Sequence, residues 1–210
     1  MMTRLDVPYD CIWGRVDNSI KNYHRLDLKV HPSREHMRKI LQYTPGLFCL
    51  FKTKTDKLTV RYKVHFSSTH YVLPIKSKVE PVILGLDKQG LWHMLNYIHV
   101  FDTQLEGKIQ PDSDLKFSVD VDGDYEMFQM CFPTAARMLK LSIESGEKLE
   151  FIKPKPIQFV FIGSSVSQDN YSSNHMNICP YVFRKYGINI GTLGVSGYHT
   201  FVCPELVKAI

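Results

Sequence analysis

The stretch Ile157-Gln158-Phe159-Val160-Phe161-Ile162-Gly163-Ser164-Ser165-Val166-Ser167-Gln168 constrains this chain more than any other. Its first half is a continuous apolar run broken only by Gln158, with Pro154 and Pro156 before it and Gly163 after it. A short run of β-branched and aromatic residues predicts a strand buried on both faces, as in a parallel sheet. A glycine and two serines follow, where the chain leaves the carboxyl end of that strand. Ligands of open α/β sheets bind along that edge, and a hydroxyl held there by a tight turn is a nucleophile if a base reaches it. On the motif alone, a Ser/Gly loop that caps the next helix is the plainer reading.

The sequence beyond it supplies the context. The segment Met176–Tyr186 predicts a helix, with Pro180 tolerable in its first turn and Gly187 as its stop. Ile188-Asn189-Ile190 opens a second strand-like run that ends in Gly191-Thr192-Leu193-Gly194-Val195-Ser196-Gly197. Strand, helix and strand make a βαβ unit, with Ser165 and Gly197 just past strand ends on one sheet edge. A glycine N–H there can approach an oxyanion closely.

These residues resemble a family. Phe161-Ile162-Gly163-Ser164-Ser165-Val166-Ser167-Gln168 is similar to the first block of the SGNH (GDSL-type) hydrolases, and Thr192-Leu193-Gly194-Val195-Ser196-Gly197 to their second. The resemblance implies that Ser165 is the nucleophile and that its amide, with that of Gly197, forms part of an oxyanion hole. Two positions depart from the pattern: Gly-Ser-Ser stands for Gly-Asp-Ser, and Thr192 for the asparagine before Leu-Gly. The family's third block, with an oxyanion-hole asparagine, and its Asp-x-x-His block, with the base, lie well beyond the second. No Asp-x-x-His occurs in this sequence, and His175 and His199 match no family role. The implied enzyme is therefore an acyl-ester hydrolase with a truncated catalytic domain, nearly inactive in this form. The final Pro204-Glu205-Leu206-Val207-Lys208-Ala209-Ile210 likewise reads as a helix barely begun.

The preceding residues have a different pattern. Leu47-Phe48-Cys49-Leu50-Phe51 is continuous, while Leu58–Val64 and Leu139–Ile143 alternate. Val82–Asp87 turns at Lys88-Gln89-Gly90 into Leu91–Met94, and Phe117–Val121 turns at Asp122-Gly123-Asp124 into Tyr125–Phe132. Short strands at this spacing predict an antiparallel sandwich. A short helix is expected from His31-Pro32-Ser33-Arg34-Glu35 to Thr44-Pro45-Gly46, and Leu26–Val30 alternates like a strand. Phe51-Lys52-Thr53, Val60-Arg61-Tyr62-Lys63, Leu84-Gly85-Leu86-Asp87 with Gly90-Leu91-Trp92, and Phe128–Pro133 resemble the β-sandwich that precedes the hydrolase domain in one SGNH subgroup. The expected architecture is multidomain α+β: an antiparallel β-sandwich over residues 1–153, then the first βαβ unit of a flavodoxin-like α/β (SGNH) domain over 157–210, joined by a stiff Pro-Lys-Pro.

Composition excludes more than it selects. With 26 basic and 21 acidic residues the net charge is +5, without a run of like charges, so nucleic acid is not expected as a partner. No segment has the apolar length of a membrane span, and the amino terminus lacks a signal peptide's apolar core. Five widely spaced cysteines (Cys11, Cys49, Cys131, Cys179, Cys203) predict reduced thiols and a cytoplasmic location. His175-x-x-x-Cys179-Pro180 and His199-x-x-x-Cys203-Pro204 repeat a zinc-like spacing, but the prolines make two helix starts the simpler reading. Asp120, Asp122, Asp124 and Glu126 alternate like calcium ligands but read as a solvated hairpin tip. Neither a metal nor a cofactor is expected. Trp92 and the tyrosines offer sugar-stacking surfaces, though most aromatics in a sandwich are core. The expected partner is a small acyl ester or an acylated carbohydrate. The alternative is a non-catalytic β-sandwich binding module with a vestigial serine motif.

Overall fold

The computed structural model describes residues 2–17, 19–26, 41–65, 79–96, 112–162 and 174–193. The expected helix from His31 and the strand-like Leu26–Val30 lie almost wholly outside the described residues. Most of the structure is antiparallel β. The strands are β1 (Thr3–Asp6), β2 (Ile12–Trp13), β3 (Phe48–Lys52), β4 (Lys57–His65), β5 (Val82–Asp87), β6 (Trp92–Met94), β7 (Asp114–Asp120), β8 (Tyr125–Cys131), β9 (Arg137–Ser145) and β10 (Glu150–Ile152). One four-stranded sheet has the order β1-β9-β4-β7. A six-stranded sheet has the order β10-β3-β8-β5-β6, with β2 also paired to β3. Then come β11 (Phe159–Phe161), the helix α1 (Ile178–Tyr186) and β12 (Ile190–Thr192).

The two large sheets share one buried cluster. The four-stranded sheet sends in Leu58, Val60, Tyr62 and Val64 from β4, with Met138, Leu141 and Ile143 from β9. Its polar alternates, such as Lys57 and His65, stay exposed, the period of two that a sheet covered on one face requires. The six-stranded sheet answers with Cys49, Phe51, Ile83, Phe128 and Met130. Phe51 and Phe128 stack at 5.3 Å across the β3–β8 pair, an offset arrangement that adds to their burial.

The other face of the six-stranded sheet is also buried. Trp13, Phe48, Leu50, Val82, Leu84 and Cys131 pack against Cys179 and Ile190, with Ile178, Val182 and Phe183 alongside. This is why β3 reads as a continuous apolar run: each of its alternate rows has a core to enter. Trp13 lies between layers, 5.8 Å from Phe48 and 5.0 Å from Phe183, and its Nε1 donates to Ile152 O at 3.0 Å. A buried indole must place that N–H, and the β10 carbonyl accepts it.

One sequence expectation is corrected here. Asp120 to Glu126 is not a hairpin tip, because β7 pairs with β4 whereas β8 pairs with β3 and β5. The segment crosses from one sheet to the other. Val121 turns inward, nearly buried, and its N–H donates to Asp56 O at 2.7 Å. The β5–β6 turn does form a hairpin, with Gly90 at φ 82° and the Asp87 carboxylate accepting from the Gln89 and Leu91 N–H groups. Among the described residues no helix is long and apolar enough to cross a membrane, and no group of three metal-ligating side chains forms.

Candidate active site

Chain order β11, α1, β12 builds a parallel pair. Phe159 lies opposite Ile190, Val160 opposite Gly191, and Phe161 opposite Thr192. Gln158 N donates to Asn189 O at 2.9 Å before the pair, and Leu193 N donates to Phe161 O at 2.8 Å beyond it. Both strands therefore end side by side, pointing the same way. The second strand lies two residues later than the sequence pattern suggests. Ser165 and Gly197 lie outside the described residues, as do His199 and Cys203.

What fixes these strand ends is visible. Asn189, 1% exposed, accepts from Gly14 N through Oδ1 at 3.1 Å and donates from Nδ2 to Lys155 O at 2.6 Å. One amide thus ties β12 to the turn after β2 and to the Pro-Lys-Pro segment. Gly14 and Gly46 lie back to back beneath the pair: a Cβ on Gly14 would stand 2.4 Å from Gly46 O, and one on Gly46 would stand 2.9 Å from Thr192 Cγ2. Thr192, where the family pattern has asparagine, is buried with its methyl group on this contact.

The helix is anchored by polar groups as well. Gln129, fully buried in β8, accepts from Arg184 Nη1 at 2.6 Å and donates from Nε2 to Pro180 O at 3.4 Å. Arg184 Nη2 also donates to His175 O. Burial lowers the Arg184 pKa, an effect the neighbouring Cys131 opposes. His175 follows the Ser165 segment in a 3-10 turn, Asn174–Met176. Its Nδ1 is buried without a hydrogen-bond partner among the described residues, and burial followed by the charge of Arg184 lowers its pKa, so the ring is neutral at pH 7. Cys179, the other half of one zinc-like pair, is a fully buried cysteine packed against Gly46. Sequence reasoning missed Gln129, Arg184 and Asn189. A lone glutamine in the run Met127–Phe132 was the available signal, since alternation puts it on the face of Met127 and Cys131.

Away from these strands, a shallow groove is lined by Lys52, Lys88, Asp124, Tyr125, Glu126 and Lys148 among others. Its charges are of both signs, and Lys88 pairs with Asp124 at 2.5 Å. It is a solvated ionic surface, with none of its lining from β11, α1 or β12.

No protein-family model matches the chain, and no curated protein matches it. Solved structures do. The chain is similar to a GDSL-like lipase candidate from Bacteroides ovatus, with a TM-score of 0.68 and 18% identity over 94% of this chain and 58% of that one. It is also similar to the salicylyl-acyltransferase of a tetracycline biosynthetic pathway, with a TM-score of 0.53 and 16% identity over 92% of this chain and 51% of that one. The chain thus spans a little over half the length of each. At these identities the likeness concerns architecture alone: the chain shares the fold of the matched part of these two structures.

Proposed function

We propose that the chain is the amino-terminal part of an SGNH-type acyl-ester hydrolase, with a β-sandwich domain over residues 1–153 and the start of the α/β catalytic domain over 157–210. Ser165 is the nucleophile, and the amides of Ser165 and Gly197 are oxyanion donors. The observation that carries this reading is the parallel register of β11 and β12, whose carboxyl ends lie together immediately before the two motifs. The likeness to a GDSL-like lipase candidate and to an acyltransferase supports acyl transfer as the reaction class, by analogy of fold. The Ser165 Oγ would attack the carbonyl carbon of a small acyl ester or an acylated carbohydrate, and the two N–H groups would meet the developing oxyanion. The base is not among the residues with a family role here, because the sequence has no Asp-x-x-His. His175 is neutral at pH 7, but its buried Nδ1 and its backbone tie to Arg184 suit a structural histidine.

The test is hydrolysis of p-nitrophenyl acetate by the 210-residue chain, by a chain extended through the family's two remaining blocks, and by Ser165→Ala in each. The short chain is expected to turn over near the buffer rate, because a serine without a base stays protonated. The extended chain should be active and lose that activity with Ser165→Ala. Robust Ser165-dependent turnover by the short chain would place a base within these residues. An extended chain indifferent to Ser165 would remove the serine from the mechanism.

A further inference from the structure

We infer that Arg184 is a positioning residue, which fixes the downstream end of the Ser165-bearing segment to the middle of the six-stranded sheet; the inference rests on the reading of Ser165 given above. The segment leaves β11 after Phe161, carries Ser165, and enters the turn Asn174–Met176 before α1. Arg184 stands near the other end of α1 and reaches back over it. One guanidinium nitrogen donates to His175 O, at the entry of the helix, and the other donates to Gln129 Oε1 at 2.6 Å. Gln129 is 0% exposed, sits in β8 between β3 and β5, and returns a hydrogen bond to Pro180 O at 3.4 Å in the first turn of α1. Three separate parts of the chain, the close of the Ser165 segment, the helix and the sheet, are therefore bound through one planar fork.

The chemistry argues for orientation over adhesion. The cluster between this sheet face and the helix is otherwise apolar, with Cys131 and Met127 from the sheet and Cys179, Val182 and Phe183 from the helix. Placing an arginine and a glutamine there costs desolvation that a methionine pair would avoid, whereas directional bonds specify one seating of the helix. Lysine would not replace arginine, because a single ammonium lacks the rigid two-donor geometry that spans both acceptors.

Amide hydrogen exchange of the 210-residue chain tests this, with unfolding temperature measured in parallel. Arg184→Met should speed exchange in the turn 174–176 and the first turn of α1 by about tenfold or more, the effect of losing its charge-assisted hydrogen bonds to His175 O and Gln129, with β4 and β9 unchanged. The paired variant Gln129→Met with Arg184→Met should regain the unfolding temperature while keeping fast exchange in the turn 174–176 and the first turn of α1. Arg184→Lys, the gentler change, should fold normally and still show raised exchange there. Wild-type exchange in Arg184→Lys or Arg184→Met would overturn the inference. So would a methionine pair that restores slow exchange together with stability, since packing alone would then suffice. Exchange does not depend on turnover, so this result stands apart from the p-nitrophenyl acetate test of Ser165.

Discussion

Gly14→Ala should be among the most damaging single-methyl additions to this chain. Gly14 has φ 79°, a left-handed conformation that costs an L-residue about 1–2 kcal/mol. The added Cβ would stand 2.4 Å from Gly46 O and 3.3 Å from Gly46 C, which are backbone atoms that no rotamer change can move. Gly46 has little room to shift, because Thr192 and Cys179 pack closely against it. Relief would push the loop into α1 and β12, an overpacking worth about 1–3 kcal/mol. The Gly14 N–H bond to Asn189 would strain as well. The combined loss of about 2–5 kcal/mol lowers the unfolding temperature by about 5–15 °C for a chain of this size. Gly90→Ala is the control: φ is 82° but nothing lies within 4 Å of its Cβ. That variant bears the backbone term alone, partly offset by a stiffer unfolded chain, and should lose only a few degrees. Thermal unfolding followed by far-UV circular dichroism measures both. Equal losses in the two variants would refute the steric argument and leave backbone strain as the whole effect.

Two further outcomes are expected. The His93 and backbone N–H hydrogen bonds hold the Asp87 carboxyl below its ordinary pKa, so the folded form binds its proton less readily than the unfolded form. The gap in unfolding temperature between wild type and Asp87→Asn should be full above the ordinary carboxylate pKa and close as pH falls through the depressed one; a gap that widens in acid would reverse the assignment. Burial raises the thiol pKa of Cys11 to about 11 and that of Cys131 to about 12, and pushes Cys49 well up, so these thiols stay protonated at neutral pH. Ellman's reagent should react slowly with them in the native protein and find five thiols in denaturant; rapid native modification of Cys49 or Cys131, read by peptide mapping, would contradict the buried assignment.

Hydrophobic period made much of the architecture legible. The alternation of Leu58–Val64 marks a strand with one covered face, and the unbroken Leu47–Phe51 a strand with two. Other elements carried no such mark. Thr3–Asp6 is exposed at every residue and is a strand only because it pairs with β9, Leu5 against Ile143. Its extended form comes from the partner, not from propensity. β12 runs through Gly191 to Thr192, and a glycine is a residue that a sequence pattern discounts in a strand. There the glycine admits Val16, whose Cγ2 would lie 2.9 Å from an added Cβ. The candidate site divides in the same way. Ser165 and Gly197 were readable as motifs, whereas Gln129, Arg184 and Asn189 act through partners as much as 175 residues away.

The first strand of the parallel pair shows where a pattern and its environment part. Ile157–Ile162 is apolar except at Gln158, and such a run predicts burial on both faces. Yet Phe159 is 62% exposed and Phe161 44%, while all three residues of β12 are buried. The asymmetry follows from the packing. β12 is seated on Gly14, Gly46 and Val16, and α1 lies against the six-stranded sheet, whereas β11 pairs along one edge only among the described residues. At about 25 cal/mol per Å² and about 200 Å² for each ring, the exposed parts of the two phenylalanines forgo about 5 kcal/mol of burial. That is comparable with the net stability of a whole domain. A strand written for two covered faces but covered on one is a place where further polypeptide would gain free energy by packing. Among the described residues that place is β11, and not the ionic groove lined by Lys52 and Lys148.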